Sequence, residues 1–255
     1  MVLKSYLLVD DVLTGEELEE LNTLLDEYDL WKNHGKGPFN EVWTYEDSYI
    51  IVGPLHTWDE PFRRLLDHPT MLPYLVELLG PTFRLDISHA ILMKKGSGKL
   101  RLHGGATPHN PSTYYHVQGD KIYSNLLVVS YALRDIGPGE GGFAGVPGSH
   151  KSNFPLPDDF RYFRTTGPWL QQVPIRAGSA LIFSEALTHG TLPWSAEHER
   201  RSLLYKYCPG YMSWSTKYPV TSDAPEADFT PRQQRILESP YYEPGERAPV
   251  VDGND

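Results

Sequence analysis

His103 and His189 lie far apart in the chain, and each stands beside glycine: Leu102-His103-Gly104-Gly105 and Ala186-Leu187-Thr188-His189-Gly190. Arg200 follows the second histidine at a spacing of eleven. Imidazole nitrogens suit Fe(II). Glycine at the end of a strand lets backbone approach a ligand closely, and an arginine fork can hold a carboxylate through two parallel hydrogen bonds. Together these form the residue set of a mononuclear iron site that binds a 2-oxoacid. Such a site usually adds one carboxylate to its two histidines, but here the position two after His103 is Gly105. The chain has ten histidines, so pairing two of them proves little by itself. Arg200 adds weight, against the plainer role of a surface ion pair with Glu197 or Glu199. Arg201 is adjacent on the same strand and points to the other face, so only one of the two should enter a site.

The elements that must position these residues change character along the chain. Thr14-Gly15-Glu16-Glu17 is a capping box followed by Leu18, Leu21, Leu24 and Leu25 at helical spacing, which predicts a helix from Gly15 to Asp26. Leu7 to Val12 is either a short strand or the lead-in to that helix. Thr57-Trp58-Asp59-Glu60 reads as a second capping box before a helix carrying Phe62, Leu65 and Leu66. A third helix opens at Pro69-Thr70 and stops at Gly80. From Phe83 the period becomes two, which predicts strands at 83–91, 122–133, 178–183 and 202–207. Leu126-Leu127-Val128-Val129 is apolar on both faces, so its strand should be central. Thr230-Pro231-Arg232-Gln233 starts a last helix, and Glu243–Asp255 reads as a polar tail.

Helices first and strands afterwards give a mostly β, α+β chain. The expected layout is one domain over 1–255: N-terminal helices at 1–82, a β core at 83–210, and a C-terminal helix and tail at 211–255. The chain has 255 residues and a formal charge of −10, which argues against a nucleic-acid polymer as partner. Its single cysteine excludes an internal disulfide and fits a reducing compartment. No apolar run reaches the ~20 residues of a membrane span, and the N-terminus lacks a long h-region or cleavage site. A cytoplasmic protein of open oligomeric state is expected.

Four segments resemble one family. They are His103-Gly104-Gly105, the run Gly141-Gly142-Phe143-Ala144-Gly145-Val146-Pro147-Gly148-Ser149-His150-Lys151, then Ala177-Gly178-Ser179-Ala180-Leu181-Ile182-Phe183, and His189-Gly190 through Arg200. Over residues 85–210 the chain resembles the phytanoyl-CoA dioxygenase-like branch of the Fe(II)/2-oxoglutarate-dependent oxygenases. The Pro-Gly-Ser-His-Lys run is the most family-specific piece. The resemblance implies a double-stranded β-helix, a cupin-like jelly roll whose mouth holds the metal. It implies His103 and His189 as iron ligands, Arg200 as the anchor of the distal 2-oxoglutarate carboxylate, O2 as cosubstrate, and a structural role for His150.

Gly105 departs from the family's hydroxylases, which have Asp or Glu there; superfamily members that halogenate carbon have Gly or Ala. Glycine supplies neither a ligand nor a charge, and chloride can fill the vacancy. Gly105 is therefore the residue on which the reaction turns, and a His-x-Gly halogenase chlorinating an unactivated carbon is the expected activity. Three alternatives stand beside it. Another carboxylate, such as Asp120 or Glu140, could fold back onto the metal; water could fill the vacancy and leave a hydroxylase; or the chain could be a non-catalytic jelly-roll binding module.

The expected substrate is a small molecule, with a nucleotide as first candidate. Lys94, Lys95, Lys99 and Arg101 crowd the approach to His103, and Tyr123 and Trp194 could stack on a base. A solvated loop and core packing are the plainer fates of those residues.

Overall fold

The computed structural model describes residues 4–241 and 247–251. In chain order the elements are β1 (Tyr6–Val9), α1 (Gly15–Tyr28), α2 (Leu30–Asn33), β2 (Glu41–Glu46), β3 (Tyr49–Gly53), α3 (Glu60–Arg64), α4 (Leu72–Leu79), β4 (Phe83–Met93), β5 (Leu100–His103), β6 (Tyr115–Gln118) and β7 (Lys121–Ser124). Then follow β8 (Leu127–Ala132), β9 (Gly142–Gly145), α5 (Asp158–Arg161), β10 (Gln171–Gln172), β11 (Ala180–Ser184), β12 (His189–Leu192), β13 (Arg200–Pro209) and α6 (Pro231–Ile236). A seven-stranded sheet runs in the order β1-β11-β8-β13-β4-β3-β2, and a four-stranded sheet in the order β10-β9-β12-β5. The two form a jelly roll, and β6-β7 is a separate hairpin.

Two cores flank the larger sheet. One face packs Leu92, Val129, Leu203 and Tyr205 against Leu21, Leu25, Phe62 and Leu75 of the helices. The other face, with Ile91, Val128, Leu181 and Leu204, packs against Phe143 and Leu187. Strand β8 lies between β11 and β13 and is buried along its whole length, as its two-faced apolar run requires.

Several local expectations are altered by tertiary context. The first helix extends to Tyr28, and its Thr14–Glu17 capping box forms. The Thr57 box does not form: Asp59 takes the N-cap position of α3, and the Thr57 hydroxyl donates to the Pro54 carbonyl instead. Within 1–82, where helices are expected, the strand alternative for Leu7–Val12 is realised as β1, and β2 and β3 also join the larger sheet. The stretch 122–133 divides into β7 and β8. Of the expected tail, only 247–251 are among the described residues, and there Val250 is buried and its N–H donates to the Pro81 carbonyl. No helix among the described residues is long and apolar enough to cross a membrane.

Three buried tyrosines tie sheet to helices. The hydroxyls of Tyr205, Tyr131 and Tyr207 donate to the carbonyls of Phe62 (2.7 Å), Leu65 (3.2 Å) and Leu66 (2.9 Å), where the helix of α3 ends and its carbonyls need partners. Tyr205→Phe should cost about 1 kcal/mol. A urea titration should show a lower midpoint with an unchanged slope, and an unchanged midpoint would mean the bond contributes nothing.

Candidate metal centre and its cavity

Strands β5 and β12 pair so that His103 and His189 face each other directly. Their ring centroids are 4.2 Å apart. Each Nδ1 lies on a backbone carbonyl two residues earlier: His103 on Arg101 at 3.1 Å, His189 on Leu187 at 2.7 Å. A carbonyl can only accept, so each Nδ1 carries the proton and each Nε2 keeps its lone pair. That is how a metal-ligating imidazole is oriented by its surroundings.

A carboxylate completes the cluster. Glu185, His103 and His189 present ligand atoms that all lie within 4.8 Å of one another. Glu185 Oε2 is 3.9 Å from His189 Nε2, while its Oε1 accepts from Lys206 Nζ at 2.6 Å. Glu185 is buried at the end of β11, where its N–H donates to the Leu126 carbonyl. Burial alone would raise its pKa, but the charge of Lys206, with His189 and His103, outweighs this and holds it at about 2. Burial, with the neighbouring His103, pushes His189 down to about 3. At neutral pH the pair is thus a neutral imidazole and an ionised carboxylate, the forms a metal needs.

Gly104 and Gly105 explain how Glu185 comes so near. A Cβ on Gly104 would lie 2.4 Å from the Leu187 carbonyl oxygen and 2.5 Å from that of Glu185. Only glycine lets β5 lie against the 184–188 turn this closely. Gly105 has φ +98°, and a Cβ there would be 2.8 Å from Thr188 Oγ1. An aspartate at 105 would therefore be strained by that φ and would have to displace the Thr188 side chain. Asp120 is exposed in the β6–β7 turn, and the Glu140 carboxylate accepts from the Gly137 N–H, so neither joins the cluster.

The cluster opens into a cavity of about 400 Å³ between the sheets. Ile51, Ile87, Ile91, Phe143, Phe183 and Leu204 make its walls apolar, with polar groups from His89, Ser130, Thr191, Arg200 and Lys206. Alternation along β13 points Arg200, Leu204 and Lys206 into it. Arg201 faces the helices and pairs with Asp26 and Glu199. Arg200 is buried, its Nε has no hydrogen-bond partner, and its Nη1 contacts only the Met93 sulfur at 3.1 Å. Among the described residues no carboxylate pairs with it. Burial lowers its pKa to about 10, so it stays charged.

The other residues singled out from sequence do not line this cavity. Lys95 pairs with Glu197, Lys99 lies over the Phe163 ring, and Arg101 is exposed on β5. Tyr123 is exposed on the β6–β7 hairpin. Trp194 is buried in the inter-sheet core, its Nε1 donating to the His198 carbonyl at 2.6 Å. His150 is buried edge-on to Tyr115. Glu185 was missed; the available signal was a lone acidic residue in the run Phe183-Ser184-Glu185-Ala186-Leu187.

The sequence matches the phytanoyl-CoA dioxygenase (PhyH) family over residues 5–202. No curated protein matches the chain. Among solved structures, HygX from Streptomyces hygroscopicus, with nickel, 2-oxoglutarate and hygromycin B bound, superposes with a TM-score of 0.70 at 23% identity, over 83% of this chain and 86% of HygX. HygX with iron bound gives 0.67 at 24% identity, over 83% and 85%. The epimerase SnoN, in complex with Fe3+, alpha ketoglutarate and nogalamycin RO, gives 0.59 at 22% identity over 96% and 93%. These likenesses establish the jelly-roll fold.

The depressed His189 makes stability of the metal-free protein depend on pH. The unfolded chain protonates this residue near 6.5, the folded chain only near 3, so the unfolded state binds more protons between those values. Stability should therefore fall as pH is lowered through that window. His89 and His68, also lowered by burial, act in the same direction. Glu185 adds to the loss below its ordinary 4.5. Urea midpoints should drop from pH 7 to pH 5, with a smaller drop in His189→Asn. Equal slopes in the two proteins would contradict the assignment.

Proposed function

The chain belongs to the phytanoyl-CoA dioxygenase family, and from that membership we propose a reaction outcome and a substrate class for it. At the coarser level it is an iron- and 2-oxoglutarate-dependent oxygenase-type enzyme. The finer reading is oxygen transfer to a C–H bond of a small molecule held in the inter-sheet cavity. Arg200, a buried cation without a carboxylate partner in the same cavity as His103 and His189, supports 2-oxoglutarate use, and the observation that favours oxygen transfer over chlorination is the carboxylate of Glu185 beside the two histidines.

The residues fit the cofactors. His103 and His189 would hold Fe(II) through Nε2. Arg200 would take the distal carboxylate of 2-oxoglutarate, satisfying its orphaned Nε. Bound Fe(II) with 2-oxoglutarate supplies the oxidising chemistry, in which R–H, O2 and 2-oxoglutarate give R–OH, succinate and CO2. The apolar walls exclude water from the reacting carbon, and His89 and Ser130 offer hydrogen bonds that orient the substrate.

Chlorination is the second reading, favoured by Gly105, which brings no carboxylate of its own. It requires chloride to take the third protein position on the metal, where Glu185 competes.

The approach to the cavity argues for a neutral or amine-bearing molecule rather than a nucleotide. A crevice of about 1260 Å³ shares Trp43, Ile87 and Ser215 with the cavity. Its acidic groups unpaired among the described residues, Glu41 and Glu226, together with Asp59, face Arg63 and Lys217, while Asp223 is held by His56 and buried Asp86 by Arg84, a balance that disfavours phosphate. Lys95, Lys99 and Arg101 line neither space. Hygromycin B in HygX and nogalamycin RO in SnoN make such natural products the first compounds to screen, with nucleoside monophosphates as the contrasting set.

Arg200→Gln should weaken 2-oxoglutarate by about 1.5–3 kcal/mol, roughly tenfold to a hundredfold in Kd, while Fe(II) still binds. Anaerobic calorimetry on the iron-loaded proteins checks this, and an unchanged Kd would remove Arg200 from the site. With a turned-over substrate, product mass should rise by one oxygen whether or not chloride is present; chloride-dependent gain of the chlorine isotope pair would establish the second reading instead.

A further inference from the structure

We infer that Glu185 is the third protein ligand of the metal, replacing the carboxylate that Gly105 lacks. The inference rests on the iron reading above and goes beyond it by assigning a residue outside the two-after-histidine position. Four independent features of the fold converge on it.

The first is placement. Glu185 stands at the end of β11 in the larger sheet, His103 and His189 on β5 and β12 of the smaller, and all three ligand atoms fall within 4.8 Å. Ligands about 2.1 Å from one ion and at right angles to each other lie roughly 3 Å apart. The 3.9 Å between Glu185 Oε2 and His189 Nε2 thus closes with a side-chain movement of under about 1 Å.

The second is the division of the carboxylate. Oε1 is engaged by Lys206 Nζ at 2.6 Å, and Oε2 is the oxygen that faces His189. One oxygen is therefore left for a metal while the other is held in place, as ligating carboxylates generally are. The third is the anchoring of the turn. Glu185 N–H donates to Leu126 O at 3.0 Å, Leu187 N–H to Ser184 O at 2.9 Å, and Thr188 N–H to Ser149 Oγ at 2.7 Å. The Ser184 hydroxyl is in turn tied to the Ser124 hydroxyl at 2.9 Å. The main chain carrying Glu185 is thus fixed on both sides.

The fourth is the glycine pair. The Gly104 contacts of 2.4 and 2.5 Å to the carbonyls of Leu187 and Glu185 leave no room for a Cβ. The same Gly-Gly step that removes the usual carboxylate brings the replacement carboxylate into range. With Glu185 on the metal, the position a halide would need is filled, and oxygen transfer follows as the outcome.

The opposing account is that Glu185 serves only as counter-ion to half-buried Lys206. Co(II) titration of metal-free protein, followed by calorimetry and visible absorption, separates the two. Wild type, His103→Ala, Glu185→Gln and Lys206→Met are compared. Ligation predicts that Glu185→Gln weakens Co(II) about tenfold to a hundredfold, while Lys206→Met retains or tightens it. Wild-type affinity in Glu185→Gln, alongside a loss in His103→Ala, overturns the inference and leaves the iron reading standing. Wild-type affinity in His103→Ala overturns the iron reading itself. Should Glu185→Gln fail to fold, Lys206→Met decides alone. There a ligating Glu185 is an unpaired buried carboxylate that the metal relieves, so saturating Co(II) should raise Tm more than in wild type. An equal or smaller rise overturns the inference.

Discussion

The site depends on the close approach of two pieces of backbone: the β5 end at Gly104 and the 184–188 turn. Their contact is limited by carbonyl oxygens that would sit 2.4–2.5 Å from any Cβ at 104. It has consequences on both sides. On one, β5 pairs with β12 so that His103 and His189 stand opposite each other with their Nε2 atoms free. On the other, Glu185 is delivered beside them from the opposite sheet. A site assembled across two sheets needs rigid supports, and the backbone bonds of the turn together with the fully buried β8 and β11 provide them.

Charge is organised around that contact. β13 presents Arg200 and Lys206 to the cavity, and only Lys206 has a carboxylate partner. Burying an unmatched cation is costly. Arg200 is thus a standing demand for an anion, which a dicarboxylate cosubstrate would meet. Glu185 answers Lys206 with one oxygen and keeps the other toward the histidines. The two cations of one strand face would then serve two different anions, one brought by the cosubstrate and one supplied by the chain.

Much of this was legible in the residues. Alternation along 200–207 placed Arg200 and Arg201 on opposite faces, and the two-faced apolar run 126–129 marked a central strand. The Thr14 box marked a helix start because its partners are local. The Thr57 box looked the same but lost to a 3-10 turn and to Asp59, a choice made by packing. Glu185 could not be found by counting from His103, because it enters from another strand. Its nearness is a property of sheet pairing and of a glycine contact, neither of which appears as a spacing. The lysines near His103 are close in sequence to the site, yet β5 turns Arg101 outward, and Lys95, in the turn between β4 and β5, pairs with Glu197. Adjacency along a strand end says little about which side chain faces inward.

The central claim is that His103, His189 and Glu185 together hold the metal. A crystal structure of the anaerobic Fe(II)–2-oxoglutarate complex, grown in chloride, tests it most directly. The account predicts a Glu185 carboxylate oxygen on the iron, roughly 2.0–2.2 Å away by analogy with other first-row metal–carboxylate bonds, and the distal carboxylate of 2-oxoglutarate on Arg200. Chloride or water on the iron beside Gly105, with Glu185 bound to Lys206 alone, would contradict it.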